Sequence, residues 1–423
     1  MKRKILVLFA QEWDQAELSR PAYRGDFEFF FEGFDLFRFP DNARLLTFDA
    51  RRFIHRLLRK YRRAGLHGVI SSNEQFGALI AAEVARLLDL PGTDPHAIVL
   101  AQHKYYSRRA QQEILPEATP RFFAFPYDLE DPESLELPFP FFVKPVKATF
   151  SVLAKRVEDF GDLRRHLSFA PFEELIIRKL VQPFNDLAVG RNGFRLDAHH
   201  IVAEELLDGV QVNVDGFACR GRIRVLGIVD EVMYPGTQHF MRFEYPSRLP
   251  PDVQARIADL TVRLMEGIGF DHGFFNLELM VQPGSGTLKI IEVNPRLASQ
   301  LADLYQRVDG ISPFRMLLDL ATGVEPEWRS GAGRFKAAAS FVFRRFDGTS
   351  PRLRPSRAQC QWLTETFPDA QLFFYLKRGA SLAREMKWLG SHRYATLNLG
   401  GESRHDLEQR YRAVCRRFAL EAH

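Results

Sequence analysis

Near residue 280 two apolar runs, FFNLELMV and LKIIEV, flank the turn sequence QPGSGT and read as a β-hairpin. Each run carries a carboxylate that an apolar strand would not be expected to hold. Glu278 lies in the first and Glu292 in the second, with Asn294 one step of two residues further on. Residues two apart in a strand share a face, and pairing across the turn can bring Glu278 opposite Glu292 and Asn294. Two carboxylates facing each other among apolar neighbours repel unless a divalent cation lies between them. A set of oxygen ligands without His or Cys suits Mg²⁺, with Mn²⁺ as the alternative. Two edge-strand carboxylates facing water are the reading that spacing alone leaves open.

The rest of the chain must supply a fold around that hairpin. At 423 residues, 46% apolar and 26% charged, the composition is globular and excludes disordered, collagen-like and small disulfide-scaffold classes. No apolar stretch approaches the roughly 20 residues a membrane helix needs. The apolar run in MKRKILVLFA is short and is followed by polar QEWDQ, so it reads as a buried first strand, and the expectation is a cytoplasmic protein with no membrane partner. Cys219, Cys360 and Cys415 form no CxxC pair and read as inert thiols.

In the first hundred residues the strands KILVLFA and HGVISSN alternate with the helical patterns FIHRLLRKYRR and EQFGALIAAEVARLLDL, which predicts an open α/β unit with a parallel sheet. There is no GxGxxG after the first strand and no Walker loop, so any nucleotide must be held by another device. The basic cluster RRFIHRLLRKYRR reads as a solvated helix face. Strands FFVKPV and ELIIRKLV around a helical EDFGDLRRHL follow. Next come the strands IVAEELL, QVNVDGFA and RIRVLGIVDEV, an amphipathic helix from PPDVQARIADL, and the hairpin.

Lysine is the scarce cation: 12 of the 58 basic residues are Lys and 46 are Arg. Lys144 lies in apolar FFVKPV, where an unpaired ammonium would be costly, and Lys104 opens the helix after AQH. Either one alone reads as a snorkelling surface residue. Beside a two-carboxylate, one-amide cluster, they supply what a nucleoside triphosphate needs: fixed cations on the phosphates and Mg²⁺ bridging them.

The order of Lys104 before a helix, Lys144 in a strand ending in KP, Glu204-Glu205-Leu206-Leu207 after an apolar strand, and Glu278 followed by IIEVNPR resembles the ATP-grasp superfamily. It is most similar to the carboxylate–amine ligases of the amino-acid ligase, D-alanine ligase and biotin carboxylase type. The resemblance covers roughly 1 to 325. It implies an α/β (α+β) ATP-grasp architecture: an N-terminal open parallel-sheet domain (1–100), a linker helix and lid subdomain (101–203), a catalytic subdomain (204–325) and an appended basic α+β subdomain (326–423). By the same resemblance Lys104 and Lys144 hold the α- and β-phosphates of ATP, and Glu204, Glu205 and Leu207 form the hinge where adenine is recognised. Glu278, Glu292 and Asn294 bind one or two Mg²⁺, while Arg296 holds the carboxylate or acyl phosphate. Two positions depart from the family pattern. The lid, usually rich in glycine, reads VKATFSVLA, with Ser151 at the family's serine and Lys147 as a substitute cation. Gln211 stands where a ribose-binding Glu is frequent.

The implied activity is ATP-dependent joining of a small-molecule carboxylate to an amine through an acyl phosphate, with an amino-acid substrate and release of ADP and phosphate. His239 and Arg242 border the substrate in such ligases and read here as packing residues. Charge is uneven: residues 1–325 carry 40 basic and 44 acidic groups and residues 326–423 carry 18 and 9. The basic tail leaves two alternatives open. One is loading of an amino acid onto an acidic carrier protein. The other is a catalytically altered nucleotide-binding or nucleic-acid-associated protein, with nucleic acid the disfavoured partner. A homodimer is compatible with all three.

Overall fold

The structure is a computed structural model that describes residues 2–421 except 37, 39, 150, 151, 191, 192, 352 and 353. Ser151 therefore lies outside the described residues. Three sheets follow one another along the chain. The first contains β1 (Arg3–Leu8), β2 (Phe27–Glu32) and β3 (Gly68–Ile70), in the order β2-β1-β3 and parallel throughout. Helices α1 (Glu12–Leu18), α2 (Ala50–Tyr61) and α3 (Gly77–Leu87) connect and cover it. Asp49 caps α2 by accepting from the Arg52 N–H, and the buried Phe53, Ile54, Leu57 and Tyr61 recur at helical spacing. The parallel sheet is the one its apolar strands predict. The strand FEFFFE was not among the expected elements.

Helix α4 (Lys104–Ile114) leads to a second, four-stranded antiparallel sheet, β4 (Phe122–Phe125), β5 (Phe141–Pro145), β6 (Lys155–Val157) and β7 (Ile201–Glu204), in the order β4-β7-β5-β6. The segment ELIIRKLV, expected as a strand, is instead the middle of helix α5 (Pro171–Ala188). Pro171 occupies its first turn, where the missing N–H costs nothing, Glu173 and Glu174 complement the positive helix end, and Glu174 pairs with Arg178 one turn on. Its buried Ile177, Val181, Phe184 and Ala188 form a helical stripe that outweighs the β-propensity of the isoleucines.

The third sheet has eight antiparallel strands in the order β12-β11-β8-β9-β10-β13-β15-β14. Its members are β8 (Val210–Cys219), β9 (Arg222–Met233), β10 (Phe240–Tyr245), β11 (Gly273–Val281), β12 (Leu288–Asn294), β13 (Ala337–Arg345), β14 (Gln371–Phe374) and β15 (His392–Gly401). The strands of 337–401 extend the sheet that carries the carboxylate hairpin, because β13 pairs directly with β10. On one face α6 (Pro251–Gly267) packs Ile257, Leu260 and Leu264 with Val212, Val214, Leu277 and Leu279. On the other, α7 (Ser299–Asp309) packs Leu301, Leu304 and Tyr305 with Phe217, Phe274 and Val342. Helix α8 (Gly379–Leu389) and helix α9 (Arg404–Phe418) complete the C-terminal part; α9 covers β13 and β15 with Leu407, Tyr411 and Val414.

Much of the tail's positive charge is spent internally. Arg404 pairs with Glu244, Arg410 with Asp369, Arg412 with Glu408 and Lys377 with Glu385. Among the described residues no helix is long and apolar enough to cross a membrane, and Cys219, Cys360 and Cys415 are free thiols.

Candidate active site

The hairpin register places Glu278 directly opposite Glu292 and Asn276 opposite Asn294. Strand β8 continues both rows, with Asn213 beside Glu278 and Asp215 beside Asn276, and on β9 Glu231 stands opposite Gln211. Polar groups thus cross the interior face of the sheet in two lines, on the side that α7 covers. Asp215 accepts from Asn276 (3.0 Å) and Tyr305 (2.8 Å), and Asn213 donates to Glu231. Burial raises the Glu278 carboxyl, and the neighbouring Glu292 charge adds to the rise. Burial works against the Glu292 anion too, but Lys104, Lys144 and Lys147 together hold it low. The two carboxyls share a deficit of positive charge between them. Glu231, buried on the same face, is raised by burial and by Glu278 and Glu292.

Three lysines and one arginine converge on this face from separate elements. Lys104, at the first turn of α4, is 3.3 Å from Glu292 and donates to the Ala148 carbonyl. Lys144 on β5 lies 2.9 Å from Glu204 and donates to the Ile291 carbonyl at 3.0 Å. Glu204 on β7 also takes a bidentate pair from Arg108 (2.8 and 3.0 Å), whose Nη2 reaches the same Ile291 carbonyl at 2.7 Å. This buried Arg108–Glu204–Lys144 triad joins α4, β5, β7 and β12. Burial lowers the Lys144 ammonium even with Glu204 beside it.

Lys147 donates to the Glu74 carbonyl (2.7 Å) and lies 3.6 Å from its carboxylate, while Arg296 reaches the other carboxylate oxygen at 2.9 Å. The orientation of the Asn294 amide that suits its neighbours has nitrogen donating to both Glu74 oxygens, at 2.6 and 2.8 Å. Its oxygen then faces the side of Asn276. Glu74, from the loop after β3, is a site residue that the sequence reading did not single out. Arg108 is another. The one local signal for Arg108 was its place on α4 one turn after Lys104; for Glu74, nothing in the local pattern separated it from a helix-flanking polar residue.

The remaining expected residues are placed as follows. Glu205 directs its carboxylate to Arg121 (2.9 Å) and receives the Arg121 backbone N–H. Leu207 lies in the link between β7 and β8, half-buried. Gln211 stands against the hairpin, donating to Glu278 at 3.0 Å. His239 bonds the Leu389 carbonyl (2.6 Å) and stacks edge-on with Phe346, and Arg242 pairs with Glu244 (2.8 Å).

Among the described residues no group of three or more His, Cys, Asp or Glu forms a closed metal cage. Glu278, Glu292 and the Asn294 oxygen offer a partial, all-oxygen set instead. That chemistry fits a hard cation such as Mg²⁺, which keeps waters and takes substrate phosphate oxygens in its remaining positions. It is also what the mutual repulsion of Glu278 and Glu292 calls for.

Residues 137–303 match the family model described as the ATP-grasp domain. That segment runs from β5 to the start of α7 and contains the carboxylate hairpin, so this part of the chain is similar to an ATP-grasp domain. Among solved structures it resembles the L-amino acid ligase from Bacillus licheniformis, with a TM-score of 0.67 and 18% identity, covering 98% of each chain. It also resembles the biotin carboxylase domain of the Hydrogenobacter thermophilus 2-oxoglutarate carboxylase, described in complex with MgADP, with a TM-score of 0.65 and 13% identity over 100% of this chain and 91% of that one. In sequence, 271 residues are 25% identical to carnosine synthase 1 of Gallus gallus, covering 59% of this chain. The chain matches 26% of the length of that relative.

Proposed function

We propose that the protein is an ATP-dependent carboxylate–amine ligase that forms an amide bond through an acyl phosphate, with an amino acid as one substrate. The observation that carries this reading is the convergence of Lys104, Lys144, Lys147 and Arg296 on the Glu278–Glu292–Asn294 face, four cations from four elements around one oxygen cluster. The solved L-amino acid ligase of the same fold, whose architecture this chain follows over nearly its whole length, supports it.

In this reading Lys104 and Lys144 neutralise the phosphates of ATP, and Glu278, Glu292 and Asn294 hold Mg²⁺. A Mg²⁺ held there would supply positive charge to offset the charge that develops during phosphoryl transfer. A substrate carboxylate oxygen attacks the terminal phosphorus, the bond to the bridging oxygen breaks and ADP leaves. Arg296 presents a planar fork to the acyl phosphate, a geometry an ammonium lacks. The amine lone pair then attacks the carbonyl carbon, the C–O bond to phosphate breaks, and the amine gives up a proton. Little covalent chemistry is asked of the side chains, so the catalytic power is positional and electrostatic. Glu74 is a positioning residue: its carboxylate fixes Arg296, Lys147 and Asn294 relative to one another. Glu204 and Glu205 are committed to Arg108, Lys144 and Arg121, so adenine recognition at the hinge falls to backbone groups around Glu205 to Leu207.

A phosphate-release screen over pairs of amino acids with Mg²⁺ and ATP tests the reading. The expected result is ADP and phosphate formation that requires both a carboxylate and an amine and yields a dipeptide by mass. Absence of turnover over the whole panel, with nucleotide bound, would overturn it.

A further inference from the structure

Beyond the nucleotide face, the C-terminal part of the large sheet holds an arrangement of charge with no internal answer. On β13, Ala337, Ala339, Phe341 and Phe343 face α9, and Ala338 and Val342 face the other way, toward α7. Arg344 continues that second face, and its register partner on β15 is Arg393. The irregularity between Phe343 and Arg344 places Tyr394 and Ala395 together on the α9 side, which returns Arg393 to the face of Arg344. Two guanidinium groups thus stand directly opposite each other across a strand pair, an arrangement that is destabilising unless an anion is shared.

No carboxylate of a described residue takes either one. Arg344 donates to the Ser391 hydroxyl (2.9 Å) and to the Phe240 carbonyl (3.4 Å). The Arg393 guanidinium lies over the Tyr375 ring, 4.5 Å from its centroid. The acids nearby are already engaged: Glu385 pairs with Lys377 (2.6 Å), contacts His392 and accepts the Arg393 backbone N–H, while Glu421 pairs with Arg345 (2.7 Å). Burial, with Arg393 beside it, lowers the Arg344 guanidinium to about 10. Next along the same face are Thr396, fully buried, and Tyr375; their hydroxyls lie within reach of each other and bond no further described group. Two guanidiniums without a carboxylate partner and two buried hydroxyls therefore line one strip. Buried donors of this kind are costly to leave unmade.

Helix α1 connects this strip to the candidate active site. Trp13 packs its ring on Phe373, at 4.2 Å between centroids, and Phe373 is the cross-strand neighbour of Thr396. The adjacent Asp14 accepts from Ser72 and from Ser299 (3.0 Å), so it ties the loop that carries Glu74 to the start of α7, three residues after Arg296.

We propose that Arg344, Arg393, Thr396 and Tyr375 form a subsite for a second anionic group of the substrate, a carboxylate or a phosphate remote from the reacting centre. This assignment of a substrate class rests on the ligase reading above. Two guanidiniums give bidentate donors, and the hydroxyls complete the coordination of the anion's oxygens. The enzyme so built discriminates acidic substrates from their neutral isosteres, because a neutral group leaves the buried donors unpaired.

The test is calorimetric binding to the full-length protein with Mg²⁺ and a non-hydrolysable ATP analogue. The ligand pairs are glutamate against glutamine, aspartate against asparagine, and phosphoserine against serine. The expected result is at least a tenfold tighter binding of an anionic member, which falls to within threefold in Arg393→Gln and, independently, in Thr396→Val. Affinity for the ATP analogue is expected to stay unchanged in both. Arg393 is half-buried and Thr396→Val conserves shape, so at least one variant reports on a folded protein. A response in the amino-acid pairs alone assigns a carboxylate and in the phosphoserine pair alone a phosphate, and either supports the subsite. No anionic preference in any pair, or a preference that survives both substitutions, overturns it. Turnover with neutral substrates and no anionic preference removes the subsite and keeps the ligase. An anionic preference lost in the variants, without turnover on any pair, removes the ligase and keeps the subsite.

Discussion

Replacing Glu204 with Gln removes one negative charge from between two buried cations. The side chains of Arg108, Glu204 and Lys144 are only 2%, 4% and 7% exposed, so solvent cannot take over the role of the carboxylate. Breaking such a pair from one side costs about 3–5 kcal/mol, mostly the penalty of the charge left behind. Here two charges are left, but Lys144 has an exit: burial already lowers it, and without Glu204 it falls further, which makes its proton easier to lose. Arg108 has no such exit. At about 2–4 °C per kcal/mol for a domain of 150–250 residues, the lower end of the cost alone shifts the melting midpoint by roughly 6–12 °C. The assay is thermal unfolding followed by circular dichroism at pH 7, with nucleotide affinity measured in parallel from pH 6 to 9. Because a lowered ammonium is lost as pH rises, affinity in Glu204→Gln should fall with rising pH more steeply than in the parent. The double variant Arg108→Met with Glu204→Gln should recover part of the lost stability, because the stranded guanidinium is gone. A melting midpoint within 2 °C of the parent would refute the buried triad as drawn. So would a flat affinity profile, for Lys144.

Lys147, lowered to about 8 by burial, should give nucleotide affinity and turnover that decline as pH rises through that value, as its ammonium is lost; in Lys147→Arg the decline should move beyond pH 9, as initial rates will report. Glu292→Gln and Lys144→Ala should each reduce kcat by at least about a hundredfold, the scale of losing one preorganised electrostatic contact, and full activity in either would sink the site assignment. Arg307, bonded to Asp303 (2.6 Å) and Asp369 (2.8 Å) with a side chain 6% exposed, should cost about 3–5 kcal/mol as Arg307→Met in urea unfolding, whereas the exposed Arg412→Met should be near neutral. Glu74→Ala should lower kcat with little change in affinity for the ATP analogue, which separates positioning of Arg296 from nucleotide binding.

The pieces legible in the sequence are those whose chemistry contradicts their local setting. Glu278, Glu292 and Lys144 are charges in apolar strands, and Asn294 and Arg296 follow Glu292 at a spacing the strand makes meaningful. Their register in the hairpin agrees with what the turn and the period of two predict. Glu74 and Arg108 escaped because each sits in an ordinary polar context and is given meaning only by partners far along the chain: Arg296 is more than two hundred residues from Glu74, and Glu204 nearly a hundred from Arg108. Helix α5 was misread because Leu175, Ile176, Ile177, Leu180 and Val181 satisfy a buried strand and a helix stripe alike, and only Pro171 and the Glu174–Arg178 pair favour the helix. The sheet joining β10 to β13 could not be read at all, since local pattern says nothing of which strand a later one will choose.

That junction has a consequence for how the molecule is made. As the chain leaves the ribosome, β8, β9, β11 and β12 can assemble, but β10 presents a bare edge until β13 has been synthesised nearly a hundred residues later. An unpaired edge is a template for association with other chains. A product stopped at residue 330 should therefore be sticky rather than merely inactive, and should need chaperone protection that the whole chain outgrows once its last helix, α9, closes over β13 and β15.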